Sequence, residues 1–191
     1  LQAFKTEAER RGYDITFITH HMGDTRMTYL EHCRYRNVDG VCVVCSHFSS
    51  AEVVELVASS LPVVTIDHVF NNRMAVLSDN VAGLKALVKQ AWACGHRRIA
   101  FIHGEKTSVT ENRIAGFYQA CEELGLEIPE EYVRDGVYHD VERCAEETRA
   151  LLALPQRPTC IIFPDDFSAL GGYNALSEAG LSLSLIHISE P

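Results

Sequence analysis

Short, almost uniformly apolar runs alternate with longer amphipathic segments along the chain. The apolar runs predict strands at 13–19, 39–45, 62–67, 74–79, 97–104, 131–136 and 159–164. The amphipathic segments between them predict helices at 1–12, 25–37, 49–60, 80–95, 109–125, 139–154 and 166–180. Strands without polar alternation are buried on both faces, and helices between them make right-handed βαβ connections. The pattern therefore predicts an α/β fold built on parallel sheets.

Some helix ends are marked by local signals. Ser49 and Glu52 stand at capping-box spacing before the third helix, and Asp79 is suited to cap the helix 80–95. The helix that opens at Thr110 carries Arg113 in its first turn, where the helix dipole favours acids over cations. We therefore expect Arg113 to have a role other than stabilising its own helix.

In parallel sheets, ligands bind beyond the carboxyl ends of the strands. The predicted strands place six loops in that position, and these are the segments in which a binding site is expected: 19–24, 46–48, 67–73, 104–110, 136–139 and 164–166.

Composition narrows the functional class. The chain has 191 residues, 47% of them hydrophobic and 23% charged, which is typical of a soluble globular protein. A net charge of −9 argues against nucleic-acid binding by this chain alone, because phosphate contacts need a basic face. No apolar run approaches the roughly 18 residues of a membrane span, and no signal peptide opens the sequence.

The chain carries seven cysteines, an odd number scattered through apolar segments, which predicts free thiols in a reducing cytosol. Cys42 and Cys45 form the motif CVVC, with His47 nearby. One interpretation is a redox or zinc pair, and the other is a buried strand that uses cysteine as a small hydrophobe. The second is favoured because no further ligand pair stands at zinc spacing. We predict no metal and no cofactor.

Enzyme motifs are missing from the sequence. It contains neither a G-x-S-x-G elbow, nor G-x-x-x-x-G-K-[ST], nor G-x-G-x-x-G. A small α/β enzyme is thus disfavoured, and a binding protein is expected.

Several local patterns occur in a recognisable order: AERRGYD, NVDGVCVV, LPVVTID, VLSDNVAG, ACGHRRIAFIHG, NRIAGF, PTCIIFPDDFSALG and LSEAGL. Together they resemble the effector-binding core of the LacI/GalR (lactose-repressor) family of bacterial transcription regulators. The resemblance implies two doubly wound, parallel-sheet subdomains of periplasmic-binding-protein type I with a ligand cleft between them. By the same resemblance, residues 1–78 form the proximal subdomain and residues 79–182 the distal subdomain, both incomplete.

We expect neither end of the sequence to be an end of the natural protein. The opening LQAFKTEAERRGYD already has a helical pattern, so we expect the natural chain to start upstream. Residues 183–191, LSLIHISEP, break the rhythm after Gly180 and look like a translated sequencing adapter. The alternative is a genuine final strand, because the apolar residues of this tail are β-prone.

The motif R-x-x-G-F carries the strongest site prediction. Arg113 matches the family's effector-contacting arginine, and its guanidinium offers a planar fork of donors to hydroxyl or carboxylate oxygens. The alternative is a surface arginine paired with Glu111 or Glu105. Tyr138 stands where the family often places an aromatic against the effector, a side chain that suits sugars and bases alike. A packed loop aromatic is the competing interpretation.

Acids at strand ends supply further candidates. Asp165 follows a strand where relatives often carry Ser or Asn, and it could accept hydrogen bonds from a sugar. The neighbouring Asp166 is expected mainly to cap the next helix. Asp67 ends the strand 62–67 and could bind a hydroxyl directly or through water. A turn or loop cap is the alternative for Asp67.

His21 is the last candidate, in the loop after the strand 13–19. A histidine there could donate to a ligand hydroxyl or respond to pH, whereas the alternative is an exposed loop residue without a role. By contrast, Val109 replaces a hydroxyl residue that several relatives carry, which puts one familiar effector contact in doubt.

The resemblance implies the effector-binding and dimerisation core of a bacterial LacI-type transcription regulator. A small polar ligand, a sugar or sugar derivative, would bind in the cleft and shift the populations of two conformations. DNA would be bound only through a helix-turn-helix that this chain lacks, in a cytoplasmic homodimer without membrane contact. The alternative is a periplasmic sugar-binding protein of an ABC transporter, which shares the fold.

Overall fold

The computed structural model describes residues 2–22 and 24–183. The chain divides into two compact units, of which the first ends at Ser78 and the second begins at Asp79. Each unit holds a three-stranded parallel sheet, so the predicted α/β class with parallel sheets is confirmed. The predicted adapter-like tail, 183–191, lies outside the described residues except for Leu183.

Within 2–22 and 24–78, the first unit contains three helices and five strands. The helices are α1 (Gln2–Arg10), α2 (Tyr29–Arg36) and α3 (Ala51–Ala58). The strands are β1 (His21–Met22), β2 (Thr25–Arg26), β3 (Val41–Val43), β4 (Val63–Ile66) and β5 (Met74–Val76). The parallel sheet has the order β3-β4-β5, and β1 and β2 form a short antiparallel pair. The apolar faces of α2 and α3 cover the parallel sheet with Leu30, Cys33, Val53, Leu56 and Val57.

Over its described residues, 79–183, the second unit contains four helices and three strands. The helices are α4 (Asn80–Ala93), α5 (Ser108–Glu123), α6 (Val141–Leu152) and α7 (Asp166–Glu178). The strands are β6 (Ile99–His103), β7 (Val133–Asp135) and β8 (Cys160–Ile162), and a single 3-10 turn, Glu130–Tyr132, precedes β7. The sheet has the order β7-β6-β8, so β6 is central.

The central strand β6 is buried along its whole length, and its sequence is apolar except for His103. Its side chains alternate between two cores. Ile99 and Phe101 pack with residues of α4 and α5, whereas Ala100 and Ile102 pack with Tyr132, Cys144 and Leu151. Helices therefore cover both faces of this sheet, which leaves the strand ends and their loops as the place for a ligand.

Residues 13–19 do not form the predicted strand. None of them pairs with another strand in the part of the chain that the structure describes. Tyr13 and Phe17 are 56% and 77% exposed, and the carbonyl of Thr19 lies 2.9 Å from Nδ1 of His32 on α2. The sequence has the pattern of a strand, but a strand exists only where a neighbouring strand takes its backbone hydrogen bonds.

Several helices begin at other residues than predicted. Ser50, and not Ser49, caps α3 with its side chain on the N–H of Val53. Thr107 caps α5, so this helix begins at Ser108, one residue before the predicted range 109–125, and Arg113 lies in its second turn. The predicted helix 25–37 begins only at Tyr29, behind a capping box made by Thr28 and Glu31. Serine and threonine side chains can cap a helix from either of two neighbouring positions. The residue types alone therefore do not determine which residue begins the helix.

Candidate ligand-binding site

Three loops come together at the carboxyl edge of the second sheet, after β6, β7 and β8. Tyr138 N–H donates a 2.8 Å hydrogen bond to Oε2 of Glu105, which joins the loop after β7 to the loop after β6. His139 N–H donates to Oδ2 of Asp165 at 2.9 Å, which joins it to the loop after β8. The Ser168 hydroxyl donates to the Val137 carbonyl at 3.2 Å. These bonds hold the loops in fixed relative positions.

Arg113 reaches into this loop cluster from α5. Its Nε donates to Oδ1 of Asn80 at 3.0 Å and its Nη1 to the carbonyl of Pro164 at 2.8 Å. Asn80 and Pro164 are both buried, so the partly buried guanidinium is held from two sides. Among the described residues, Nη2 has no hydrogen-bond partner, which leaves donors of a fixed planar fork available to a ligand.

Tyr138 lies beside this guanidinium. Cζ of Arg113 is 5.8 Å from the centre of the Tyr138 ring, within the range of a cation–π contact. The ring is partly buried, and its hydroxyl is 2.9 Å from Oγ1 of Thr110. The structure thus brings two of the predicted site residues together at one strand edge.

Asp165 belongs to the same cluster, but its carboxylate is occupied by protein groups. It caps α7 by accepting the N–H of Ser168 at 3.0 Å, and it also accepts the Ser168 hydroxyl at 3.0 Å and the N–H of His139. The capping role predicted for Asp166 is therefore wrong, because the cap lies one residue earlier. Asp166 is instead the first residue of α7.

The same contacts set the ionisation of Asp165. Burial alone would raise the pKa of this carboxyl, but the hydrogen bonds from His139 and Ser168, together with the nearby His139 ring, outweigh burial and lower the pKa. Asp165 is thus a carboxylate with most of its acceptor capacity satisfied inside the protein.

Asp67 and His21 lie in the first unit. Asp67 follows β4 with φ of +60°, and its Oδ1 accepts the N–H of Ser78 at 3.0 Å. This is the loop-capping arrangement that was its alternative interpretation. His21 lies in β1 opposite Arg26 and is exposed. Among the described residues, no hydrogen bond or ring contact joins Asp67 to His21.

Several residues of the cluster carry no signal in the sequence. Thr110, Asn80 and Glu105 each hold a predicted site residue by a hydrogen bond to its side chain or backbone. Their partners stand 28 to 33 positions away along the chain. Only the fold brings such pairs together, so no local motif could have revealed them.

The chemistry of the cluster is that of binding. It offers guanidinium donors, an aromatic ring and backbone groups at the end of a parallel sheet. Within 2–22 and 24–183, no group of three His, Cys, Asp or Glu side chains could hold a metal ion. In those same ranges, no helix has the length and apolar character to cross a membrane.

Comparison with known proteins identifies relatives along nearly the whole chain. The family profile described as "Periplasmic binding proteins and sugar binding domain of LacI family" matches residues 1–188. The HTH-type transcriptional repressor PurR of Haemophilus influenzae is 32% identical over 186 residues, which cover 95% of this chain and 55% of the relative. The ribose operon repressor of the same species is 29% identical and is covered to 47%. The chain spans about half the length of these curated relatives.

Solved structures agree on the fold. A LacI transcriptional regulator from a Rhodococcus species superposes with a TM-score of 0.81 over 95% of this chain and 67% of that chain, at 24% identity. A regulatory protein of the LacI family from Chloroflexus aggregans reaches a TM-score of 0.66 at 29% identity, over 78% of this chain and 54% of that chain. The match of the family profile to nearly the whole chain shows that the chain belongs to the family of periplasmic binding proteins and LacI-family sugar-binding domains.

Proposed function

We propose that this chain is the effector-binding part of a bacterial LacI-type transcription repressor. Its small polar ligand would lie at the loops after β6, β7 and β8, against Arg113 and Tyr138. The curated relatives support this proposal, because they are transcription repressors. An enzymatic role is not proposed, because the hydroxyl that lies beside a carboxylate in the loop cluster, that of Ser168 on Asp165, is fully buried and belongs to the cap of α7.

The observation that carries the proposal is the setting of Arg113. Two of its nitrogens are fixed by Asn80 and Pro164, while Nη2 has no partner among the described residues. An arginine held in this way loses little rotamer freedom when it binds a ligand. It suits an acceptor such as a sugar hydroxyl, a carboxylate or the carbonyl oxygen of a base.

Two ligand classes fit the site. The carbon surface of Tyr138 can stack on the apolar face of a sugar or on a planar base. The name of one relative, the ribose operon repressor, favours a sugar. We propose a sugar or sugar derivative as the effector, and the test below includes bases as the competing class.

The proposal extends to regulation. The effector would bind one of two conformations more tightly and so shift their populations, which changes DNA binding elsewhere in the full-length protein. The full-length protein would be a cytoplasmic homodimer that contacts DNA through a helix-turn-helix. The alternative, a sugar-binding protein of an ABC transporter, shares the family profile, but the repressor relatives favour the regulator.

The test is a titration of the full chain by isothermal calorimetry with D-ribose, D-galactose, adenosine and hypoxanthine. We expect one of these classes to bind, and Arg113→Ala to weaken binding more than tenfold, because a charge-assisted hydrogen bond contributes about 1.5–3 kcal/mol. Arg149→Ala is the matched control, since this exposed arginine pairs only with Glu178 among described residues. Equal affinity of Arg113→Ala and wild type for a bound ligand would refute the site.

A further inference from the structure

We infer that Thr110 is a positioning residue that fixes the Tyr138 ring, so that the ring offers carbon surface to the ligand and keeps its hydroxyl for the protein. The inference rests on the proposed function and deepens it. Its first observation is the contact of 2.9 Å between Oγ1 of Thr110 and the hydroxyl of Tyr138. Whichever of the two hydroxyls is the donor, the Tyr138 oxygen is engaged by a group of the protein.

Thr110 is itself held in place by the start of α5. It is 1% exposed, and its N–H donates to Oγ1 of the capping residue Thr107 at 3.2 Å. The Thr107 hydroxyl also donates to Oγ1 of Thr110 at 3.3 Å. The three hydroxyls form a short chain from the exposed Thr107 through the buried Thr110 to the partly buried Tyr138.

Gly104 leaves the space into which the Tyr138 ring packs. A Cβ placed on Gly104 would lie 2.2 Å from Cε2 of Tyr138 and 2.4 Å from Cδ2 and Cζ. The ring therefore lies directly on the bare backbone at the end of β6, where only glycine leaves room for it. With the N–H of Tyr138 tied to Glu105 at 2.8 Å, the residue is held at its backbone, its ring and its hydroxyl.

This arrangement determines what kind of ligand the site selects. The protein uses the Tyr138 hydroxyl, so recognition by this residue comes from stacking on its ring. Directional recognition falls to Arg113, whose Cζ is 5.8 Å from the ring centre. The ligand class is therefore a compound with a flat ring or an apolar sugar face that also carries an acceptor oxygen.

The first test needs no ligand. The full chain is labelled with ¹³C at the tyrosine ring ε positions, and the Tyr138 signal is assigned from its loss in Tyr138→Phe. We expect the ring-flip rate of Tyr138 to rise roughly threefold to tenfold in Thr110→Val, the range of one neutral hydrogen bond. Thr110→Ser keeps the hydroxyl and should keep the wild-type rate. An unchanged rate in Thr110→Val would overturn the inference.

Gly104→Ala provides a second route to the same question. The added Cβ displaces the ring from the backbone of Gly104 and leaves the Thr110 side chain unaltered, so the Tyr138 signals should shift and broaden. Gly83→Ala is its control, because a Cβ at Gly83 meets nothing within 4 Å. Tyr138 signals in Gly104→Ala that match those of the wild type would show that the ring does not pack directly on Gly104.

The second test measures binding of D-ribose and of hypoxanthine to the single and double variants. Thr110→Val and Tyr138→Phe should each weaken binding about threefold, and the double variant no further, because both remove the same hydrogen bond. Effects that multiply, or a loss in Tyr138→Phe alone, would show that the hydroxyl serves the ligand and would overturn the inference. If neither probe bound the wild type, the proposed ligand classes would be wrong, while the ring-flip rates would still decide the role of Thr110.

Discussion

The backbone N–H of His139 donates a 2.9 Å hydrogen bond to Oδ2 of Asp165, and this bond joins the loop after β7 to the beginning of α7. The same carboxylate receives the N–H and the hydroxyl of Ser168, both at 3.0 Å. One acid thus caps a helix and fixes a loop, while its neighbour Asp166 is exposed. The main role of Asp165 in the structure is therefore to hold the loop after β7 and the start of α7 in place.

Replacing the two acids should have very different effects on stability. Asp165→Ala removes the cap of α7 and the tie to His139, so we expect the free energy of unfolding to fall by about 1–2 kcal/mol. Asp166→Ala removes only an exposed first-turn acid and should change it by about 0.5 kcal/mol or less. Urea unfolding followed by circular dichroism measures both. Equal losses would contradict the assignment of the cap.

The charge of Asp165 should make its contribution depend on pH. Its pKa is lowered in the folded protein, because hydrogen bonds from His139 and Ser168 outweigh the effect of burial. A folded-state pKa below the unfolded value means that the carboxylate stabilises the fold at neutral pH. This stabilisation is lost as the pH falls through and below the ordinary aspartate pKa of about 3.9.

Asp165→Asn isolates this charge, because asparagine caps helices as well as aspartate does. We expect the variant to be less stable than wild type at pH 7, and the difference to shrink at pH 3, because the stabilisation by the wild-type carboxylate is progressively lost below the ordinary aspartate pKa. Urea unfolding at the two pH values provides the measurement. A difference that grows at pH 3 would contradict the lowered pKa.

Much of the fold could be predicted from the hydrophobic pattern. Buried strands such as β6 are apolar at nearly every position, with His103 as the exception in β6. The helices between the strands have local end signals that the structure confirms. Asp79 caps α4 with its side chain on the N–H of Ala82, as predicted. Gly125 and Gly180 adopt positive φ angles just beyond α5 and α7, the conformation that glycine favours after a helix. These features depend on neighbours within a few residues, which the sequence shows directly.

The failures concern interactions that the local sequence does not contain. Residues 13–19 have a strand pattern but pair with no strand in the described part of the chain. The support of Arg113 by Asn80 joins residues 33 positions apart. The resemblance identified Arg113 and Tyr138 as candidates, whereas the residues that hold them became visible only in the folded chain.

The crossing of α4 and α5 offers a test of close helix packing. A Cβ on Gly116 would lie 2.5 Å from the backbone carbonyl oxygen of Val81, so the two helices approach closely at this glycine. We expect Gly116→Ala to lower the free energy of unfolding by about 1–3 kcal/mol, because the backbones must move apart.

Gly83→Ala is the matched change on α4. Its Cβ would meet nothing within 4 Å, and alanine is the better helix former, so this variant should be more stable by roughly 0.5–1 kcal/mol. Thermal and urea unfolding of both variants measure the contrast. A stabilising Gly116→Ala would show that the helices do not pack as closely as described.

The seven thiols should separate into two classes towards a thiol reagent. All seven cysteines are free, and only Cys45 and Cys94 are exposed. Burial raises the pKa of Cys121 to about 11, and burial with a smaller contribution from Cys94 raises that of Cys160 to about 11. At pH 8 such groups are ionised to the order of one part in a thousand, and the thiolate is the reactive form.

We therefore expect two thiols to react rapidly with Ellman's reagent at pH 8 in the native chain, and the other five only after unfolding in guanidinium chloride. Cys45→Ser and Cys94→Ser should each remove one equivalent from the fast phase.

The experiment also decides between the two interpretations of the CVVC motif, because Cys42 is only partly buried in β3, and burial raises its pKa. A strand cysteine used as a small hydrophobe reacts slowly beside a fast Cys45, whereas a redox pair would lose both thiols together on mild oxidation.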